Sequence, residues 1–514
     1  MENYYIDKFL RHIVAKSGFI KKSLYTHRLR SVDAGYERAL DPSISLDQAR
    51  KYNLSRADGP QHLLCNAPFT SLFINMNGDV NVCGYNKTFI LGNVLKDRLS
   101  DLWMSEKHQS LQRSVTGYNL SNGCQVCQQK IDMEDYHRAA IYFDTPRAEK
   151  SRKLRKITFE LSNLCNLECV MCNGELSSLI RKNREKKTPV RTNDFSLLLE
   201  ELDDFIPDLR FTQYLGGEPL LIKPYYRIWD KIIRQNRNCK ISVQTNAAVL
   251  PDNFMRLLQS SADGQFIISV SIDSFQKDAY ERIRLNARFE DVMENIYRLA
   301  DLKRKNKIHL SLNFVPMTIN WREIIDAIIF ANENQLVLSM CEVDSPFQYT
   351  FYSMSEPELL DIIAFLEKNM PIAPQTMVGR ANHQLCLDMV KQLRNIAALV
   401  RDADKVYSQK NKTGDLVSAM EEFQHSAATL PVRSKDIDEV IAKMWALAQK
   451  DAAPEISKKR LNIINRYFYL RKVFFSHKTD HTHSTETFEN LLYYELRSAY
   501  DVISESILGL GDVS

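Results

Sequence analysis

Long apolar runs are missing from this chain of 514 residues, and no segment has the length and hydrophobicity of a membrane-spanning helix. The first twenty residues are broken by Glu2, Asp7, Lys8, Arg11 and Lys16, which leaves no signal-peptide core there. The chain is therefore expected in the cytoplasm, with no membrane partner. A strong excess of one charge is missing too. The formal net charge is +4, too small to make nucleic acid an expected partner. Internal repeats and low-complexity tracts are absent. Ten cysteines in a reducing compartment do not make a disulfide framework.

What is present is an ordinary globular composition, 44% hydrophobic and 26% charged, with length for about three domains. Residues 1–60 read as a polar, partly helical extension with a basic stretch at Lys21, Lys22, Arg28 and Arg30. Residues 61–135 hold four clustered cysteines and a predicted β-hairpin, in which 73–76 and 80–83 flank the turn Asn77-Gly78-Asp79. A connection follows at 131–156.

From about 150 to 345 the pattern changes to an α/β one. Strands are predicted at 156–161, 210–215, 240–245, 266–272, 308–315 and 335–340. Helical stretches at 225–235, 254–260, 289–302 and 322–333 lie between them. Such alternation predicts a parallel sheet with crossover helices. Six units are too few for a closed eight-stranded barrel and fit an open barrel or a doubly wound sheet. Either way the ligand site belongs at the carboxyl ends of the strands. Residues 346–514 read as a mainly helical region.

Just past the first predicted strand stand Cys165, Cys169 and Cys172, spaced C-x3-C-x2-C. Three thiolates within eight residues of one loop can converge on one metal centre. Iron–sulfur clusters normally take four thiolates, so three leave one iron open to another ligand. The next strand ends in Gly216-Gly217-Glu218-Pro219, where glycines permit close backbone approach and Glu218 can accept from an ammonium. Later strands end in Gln244-Thr245-Asn246-Ala247, in Ser271-Ile272-Asp273-Ser274 and in Asn313-Phe314-Val315-Pro316.

The cysteine spacing, with these strand ends in register behind it, resembles the radical S-adenosylmethionine (SAM) superfamily over about 155–343. The resemblance implies a partial (β/α)6 TIM-like barrel. It implies a [4Fe-4S] cluster on Cys165, Cys169 and Cys172, with SAM on the fourth iron. It assigns Gly216, Gly217, Glu218 and Pro219 to the SAM amino group, and Asn246, Ser271, Asp273 and Val315 to the rest of the SAM site. It also assigns Arg284, in the stretch Tyr280-Glu281-Arg282-Ile283-Arg284, to the SAM carboxylate. This sequence departs from the family at Ala247 and Ser274, where glycine is usual, and at Met171, where an aromatic residue is common.

Upstream, Cys65, Cys83, Cys124 and Cys127 are enough for one fully ligated site, either iron–sulfur or structural zinc. The order Cys65-x12-Gly78-x4-Cys83, then Gly92-Asn93-Val94, then Leu102-Trp103, then the CxxC pair is similar to the SPASM/twitch module. That module holds auxiliary [4Fe-4S] clusters and normally follows the barrel. Here it would form a small cysteine-rich α+β domain ahead of it. By analogy the auxiliary cluster either takes up an electron from the substrate radical or binds substrate.

Weaker features have plainer readings. Cys341, beside Glu342 and Asp344, reads first as a barrel-rim residue. Cys239 and Cys386 read as core or surface thiols. His477, His481 and His483 read as a solvated loop, and Arg181, Lys182, Arg184, Lys186 and Lys187 as a solvated helix face rather than a trap for an acidic substrate. The expectation is a radical SAM oxidoreductase or maturase that oxidatively modifies a peptide or protein side chain, fed by a reductant such as flavodoxin or ferredoxin. A twitch-type dehydrogenase of a small hydroxylated molecule or sugar is one alternative. A zinc-binding interaction protein without catalysis is another.

Overall fold

The computed structural model describes residues 29–56, 59–132, 136, 153–343, 346–372 and 375–410. Lys21, Lys22, Arg28, Asp344, the three histidines, most of the connection at 131–156 and everything past 410 lie outside the described residues.

Nine strands form one sheet in the order β3-β2-β1-β4-β5-β6-β7-β8-β9. They are β1 (Ser71–Asn75), β2 (Asp79–Asn81), β3 (Gly92–Asn93), β4 (Lys156–Glu160), β5 (Phe211–Tyr214), β6 (Lys240–Thr245), β7 (Phe266–Ser271), β8 (Ile308–Phe314) and β9 (Val337–Met340). From β4 to β9 every pairing is parallel and the order never reverses. A doubly wound sheet needs a reversal, so the open-barrel alternative is the one adopted. All six predicted barrel strands are present, trimmed by a residue or two at their ends.

One face of these strands is apolar and meets the helices. Ile157 and Phe159 of β4 are fully buried. Phe159 stacks on Tyr214 at 5.3 Å, and Tyr214 meets Trp229 edge-on at 5.3 Å. Trp229 belongs to the helix Lys223–Gln235, which carries Pro at its first turn and buries Tyr225, Ile228, Trp229, Ile232 and Ile233. That spacing is one helical stripe, and each such side chain contributes about 1.5–3 kcal/mol on burial. Side chains alternate along a strand, so Lys156, Thr158 and Glu160 point the other way, onto the concave inner face. Gln213, Ser242, Gln244, Ser269, Ser271, Ser311 and Asn313 share that face through the ladder register.

The upstream cysteine region is joined to this sheet. β1 pairs with β4 in parallel, Ser71 opposite Lys156 through Asn75 opposite Glu160. The hairpin β1–β2 is antiparallel, with Phe73 opposite Asn81. Its strands start and end a few residues earlier than the sequence pattern suggests, because Asn75 ends the first strand. The Asn75 side-chain oxygen accepts from the backbone N–H groups of Asn77 and Asp79 at 2.9 and 3.0 Å, which forms the turn. Gly78 sits at φ +83°, and a Cβ there would lie 2.6 Å from Leu95 Cγ. Asn93 of the Gly-Asn-Val motif donates to Asn77 O at 2.8 Å and to Asp79 Oδ1 at 2.9 Å, tying β3 across the hairpin. Beyond β9 the chain is helical at Glu356–Asn369 and Met377–Lys410.

Candidate active site and cluster pockets

The cysteine loop leaves the carboxyl end of β4 and is held from several sides. Ser177 caps the helix Ser178–Asn183, accepting from Ile180 N at 3.3 Å and donating to Leu167 O at 2.7 Å. Asn163 donates to Gly174 O at 2.9 Å, closing the loop at its base. The loop backbone also pairs with the residues on either side of Arg284, through Glu168 N to Leu285 O at 3.1 Å and Val170 N to Ile283 O at 2.9 Å. Arg184 donates to Cys169 O at 3.1 Å, and Arg181 pairs with Glu175 at 2.7 Å. Part of the basic run is therefore spent on the cluster loop rather than only on solvent.

The Gly-Gly pair packs on this same loop. Gly216 has φ +107°, and a Cβ on Gly217 would meet Leu164 O at 2.2 Å. Gly217 N donates to Ser162 O at 3.0 Å and Glu218 N to Leu164 O at 2.7 Å. The glycines thus allow close approach of two backbone segments. Glu218 is buried, and its carboxylate accepts from Thr245 Oγ1 at 2.7 Å, Asn246 N at 2.8 Å and Leu220 N at 3.1 Å. Its side chain braces the end of β6. Asn246 in turn donates to Asn166 Oδ1, inside the cysteine loop, at 2.9 Å.

Arg284 is likewise engaged within the protein. Its Nη2 lies 2.7 Å from Asp273 Oδ2, and its Nη1 reaches Cys169 Sγ at 3.8 Å. Burial pulls the guanidinium pKa down, but the charges of Asp273 and Cys169 reverse that and leave it raised. Asp273 Oδ1 accepts from Val315 N at 2.8 Å. Ser271 is buried at the end of β7, with Gln244 Nε2 at 3.5 Å from its hydroxyl, and Pro219 is buried in the turn after Glu218. Every residue assigned by resemblance to the SAM site therefore lies at one rim, at the carboxyl ends of β4 to β8.

The three loop thiols are close enough to feel one another. Burial pushes Cys165 up to about 11 and Cys172 up to about 12, and neighbouring thiols push the same way. Burial also raises Cys169, against the pull of Arg284. Cys341 is exposed at the same rim, its thiol 3.2 Å from Asn313 Oδ1. Cys239 and Cys386 are buried core thiols. Sequence reasoning missed Asn163, Gly174, Ser177 and Glu185, which position the loop. Gly174 N donates to Glu185 Oε1 at 2.7 Å, and a Cβ at Gly174 would meet Glu185 Oε2 at 2.4 Å. The Asn-Gly pair directly after Cys172 was the available signal.

The upstream cysteines form a second pocket. Cys65, Cys83, Cys124 and Cys127 all line one small pocket, otherwise walled by Tyr52, Leu64, Val82, Leu120 and other apolar groups. Burial raises the Cys124 thiol, and Cys83 and Cys127 add to the rise. Two sulfurs already accept N–H groups, Cys65 from Ala67 N and Cys124 from Asn86 Nδ2, each at 3.3 Å. Among the described residues no three His, Cys, Asp or Glu side chains close around a single metal ion. Four cysteines and no other metal-binding side chain on this apolar pocket suit an iron–sulfur cluster, which is held by thiolates. The downstream trio, with no fourth protein ligand in its loop, fits a cluster with one open corner.

The two sites flank β4. The hairpin places Cys83 beside Ser71, whose hydroxyl donates to Val82 O at 2.7 Å, and Ser71 pairs with Lys156 at the amino end of β4. The cysteine trio follows its carboxyl end. The strand between them spans about 13 Å at ~3.3 Å per residue.

Comparison with known proteins agrees with this arrangement. Residues 159–331 match the radical SAM superfamily, and residues 65–128 match the iron–sulfur cluster-binding domain called SPASM. A probable GTP 3′,8-cyclase of Methanocaldococcus jannaschii is 26% identical over 191 residues, 37% of this chain and 59% of that protein. A GTP 3′,8-cyclase of Synechocystis is 26% identical over 194 residues, 37% of this chain and 55% of that protein. The chain thus spans less than two thirds of the length of these curated relatives. The solved structure of native anSMEcpe with bound AdoMet is 18% identical, with a TM-score of 0.32 over 42% of this chain and 59% of that one. The two domain matches imply a SAM-binding [4Fe-4S] cluster, an auxiliary iron–sulfur cluster and SAM.

Proposed function

The chain carries a radical SAM domain with an iron–sulfur cluster-binding domain ahead of it, and from that premise we propose that it reductively cleaves SAM and oxidatively modifies a peptide or protein side chain. The observation that carries this reading is the trio Cys165, Cys169 and Cys172, gathered on one braced loop at the carboxyl end of β4. Those three thiolates would hold a [4Fe-4S] cluster with one iron left open to SAM, and the group would supply the one-electron chemistry for reductive SAM cleavage.

The residues of the chain hold and orient. Glu218, Asn246 and Gly217 fix the loop, and Arg284 sets a positive charge beside Cys169. The exposed inner-face polar groups, Gln244 among them, offer neutral hydrogen-bonding partners to a polar substrate. A one-electron reductant such as flavodoxin or ferredoxin would serve the first step, in the cytoplasm.

A nucleotide substrate is the second reading, from the names of the cyclases. Against a triphosphate stands the Glu160 carboxylate on the inner face of β4. Of the strand lysines there, Lys240 is tied to Gly264 O at 2.8 Å and Lys156 lies buried at the far end. The test is anaerobic reconstitution with dithionite and SAM. Formation of 5′-deoxyadenosine by the parent, and its loss when Cys165, Cys169 and Cys172 are all alanine, is the expected result. A colourless protein holding zinc and forming none of it would return the non-catalytic reading.

A further inference from the structure

Carboxylates taken out of water are nearly always paired or hydrogen-bonded. Glu160, which closes β4, is only partly taken out of water, and among the described residues its side chain makes no hydrogen bond and no ion pair. The buried carboxylates near it are all occupied. Glu218 holds three donors, Asp273 holds Arg284 and Val315 N, and Glu323 Oε2 accepts from Ser274 at 2.6 Å and Phe275 N at 2.7 Å.

Its placement is equally specific. Ile157 and Phe159 face the helices, so Glu160 faces the hollow of the sheet with Thr158 and Lys156. Asn75, its neighbour across the ladder, already uses its amide on Asp79 at 3.2 Å. Among the described residues Lys87 is the one cation whose charge acts on it, and no salt bridge joins them. Cys165 lies five residues further along the chain. The carboxylate therefore stands on the inner face at the end of β4 from which the cysteine loop leaves, the side on which a substrate would meet a radical formed at the loop.

We propose that Glu160 is a substrate-recognition residue, and that it takes an organic cation, the ammonium of a lysine-type side chain, on the inner face of β4. This rests on the reading of the chain as a radical SAM enzyme acting on a side chain. A cation gives the carboxylate the partner that it lacks within the protein, and Gln213, Gln244 and Ser269, on the next three strands of the same face, offer neutral contacts for the rest of the ligand. A charge-assisted bond of this kind is typically worth a tenfold or greater change in affinity.

Binding tests this without needing turnover. The SAM-loaded, reconstituted enzyme is titrated with Nα-acetyl-lysine amide and with Nα-acetyl-norleucine amide, which has the same stem without the charge, by ligand-observed NMR. The expected result is binding of the lysine compound at least about tenfold tighter than the norleucine one, with that preference lost in Glu160→Gln. Iron content and SAM affinity of the variant should equal the parent's. Equal affinities for the two compounds, no binding of either, or an undiminished preference in Glu160→Gln overturns the proposal. A loss of SAM affinity in Glu160→Gln also overturns it, by assigning the carboxylate to the cofactor. Assay of 5′-deoxyadenosine on the same samples separates these results from failure of the proposed activity.

Discussion

Arg284 and Asp273 form an ion pair of 2.7 Å whose side chains are 8% and 0% exposed. The pair joins three parts of the rim, because Asp273 also holds Val315 N and Arg284 also reaches Cys169 Sγ. Breaking one partner of a buried pair leaves an uncompensated charge and typically costs about 3–5 kcal/mol. Asp273→Asn is therefore expected to lower the unfolding free energy by that order, seen as a lower urea midpoint, and to weaken iron retention. The apolar double replacement Asp273→Leu with Arg284→Met should cost less than Asp273→Asn alone. Urea denaturation of the two variants side by side decides, and a double variant that is the less stable of the two would mean the pair does more than neutralise itself.

Ala247 stands in the left-handed region at φ +52°, where the family usually has glycine. An L-residue pays roughly 1–2 kcal/mol for that conformation, and glycine pays about 0.5–1 kcal/mol in unfolded-chain entropy. Ala247→Gly should therefore be neutral or stabilising by up to about 1 kcal/mol. Ala247→Val should lower stability, since a branched side chain tolerates this region worse and the site is fully buried. Thermal unfolding of both variants checks the order. A lower Tm for the glycine variant would show that the alanine methyl packs for more than its strain.

The barrel was legible because its strands and helices have different periods. The stripe through Tyr225, Ile228, Trp229 and Ile232 and the short runs at 240–245 and 266–271 announce themselves. The cysteine trio could be picked out because its members are close in sequence. What was not legible is who else uses the motif residues. The side chains or Cβ positions of Glu218, Gly217 and Arg284, assigned to SAM by resemblance, are committed to the strand ends, the loop and Asp273. Those partners, Leu164, Thr245, Asn246 and Asp273, are set by how neighbouring strand ends come together. The parallel pairing of β1 with β4 was hidden for the same reason, since a five-residue strand carries no mark of its partner eighty residues away.

Cys83 tests the chemistry of the upstream pocket. It is buried, on the same void as Cys65, Cys124 and Cys127. Cys83→Ser should remove roughly half of the iron and sulfide from reconstituted protein while leaving the reduced signal of the SAM-binding cluster in place. Iron analysis with electron paramagnetic resonance reads both. Unchanged iron together with a loss of zinc would reassign the pocket to a structural metal ion.

Gly217 gives the sharpest test of the link between the Gly-Gly turn and the cluster loop. A Cβ there would lie 2.2 Å from Leu164 O and 2.6 Å from Asn163 C, both backbone atoms that cannot rotate aside. Gly217→Ala must therefore push the 162–165 segment away, breaking the bonds from Gly217 N to Ser162 O and from Glu218 N to Leu164 O. The shift moves Cys165 relative to Cys169 and Cys172, which are anchored separately through Ile283 and Leu285. The expected outcome is loss of the loop cluster with the upstream pocket still loaded, so about half the iron remains and 5′-deoxyadenosine formation disappears. Gly35→Ala is a fitting control, because its Cβ would meet only the Tyr118 side chain, at 3.0 Å. If Gly217→Ala keeps its full iron and its SAM affinity, the loop yields more easily than its hydrogen bonds imply, and the glycine is there for the ligand after all.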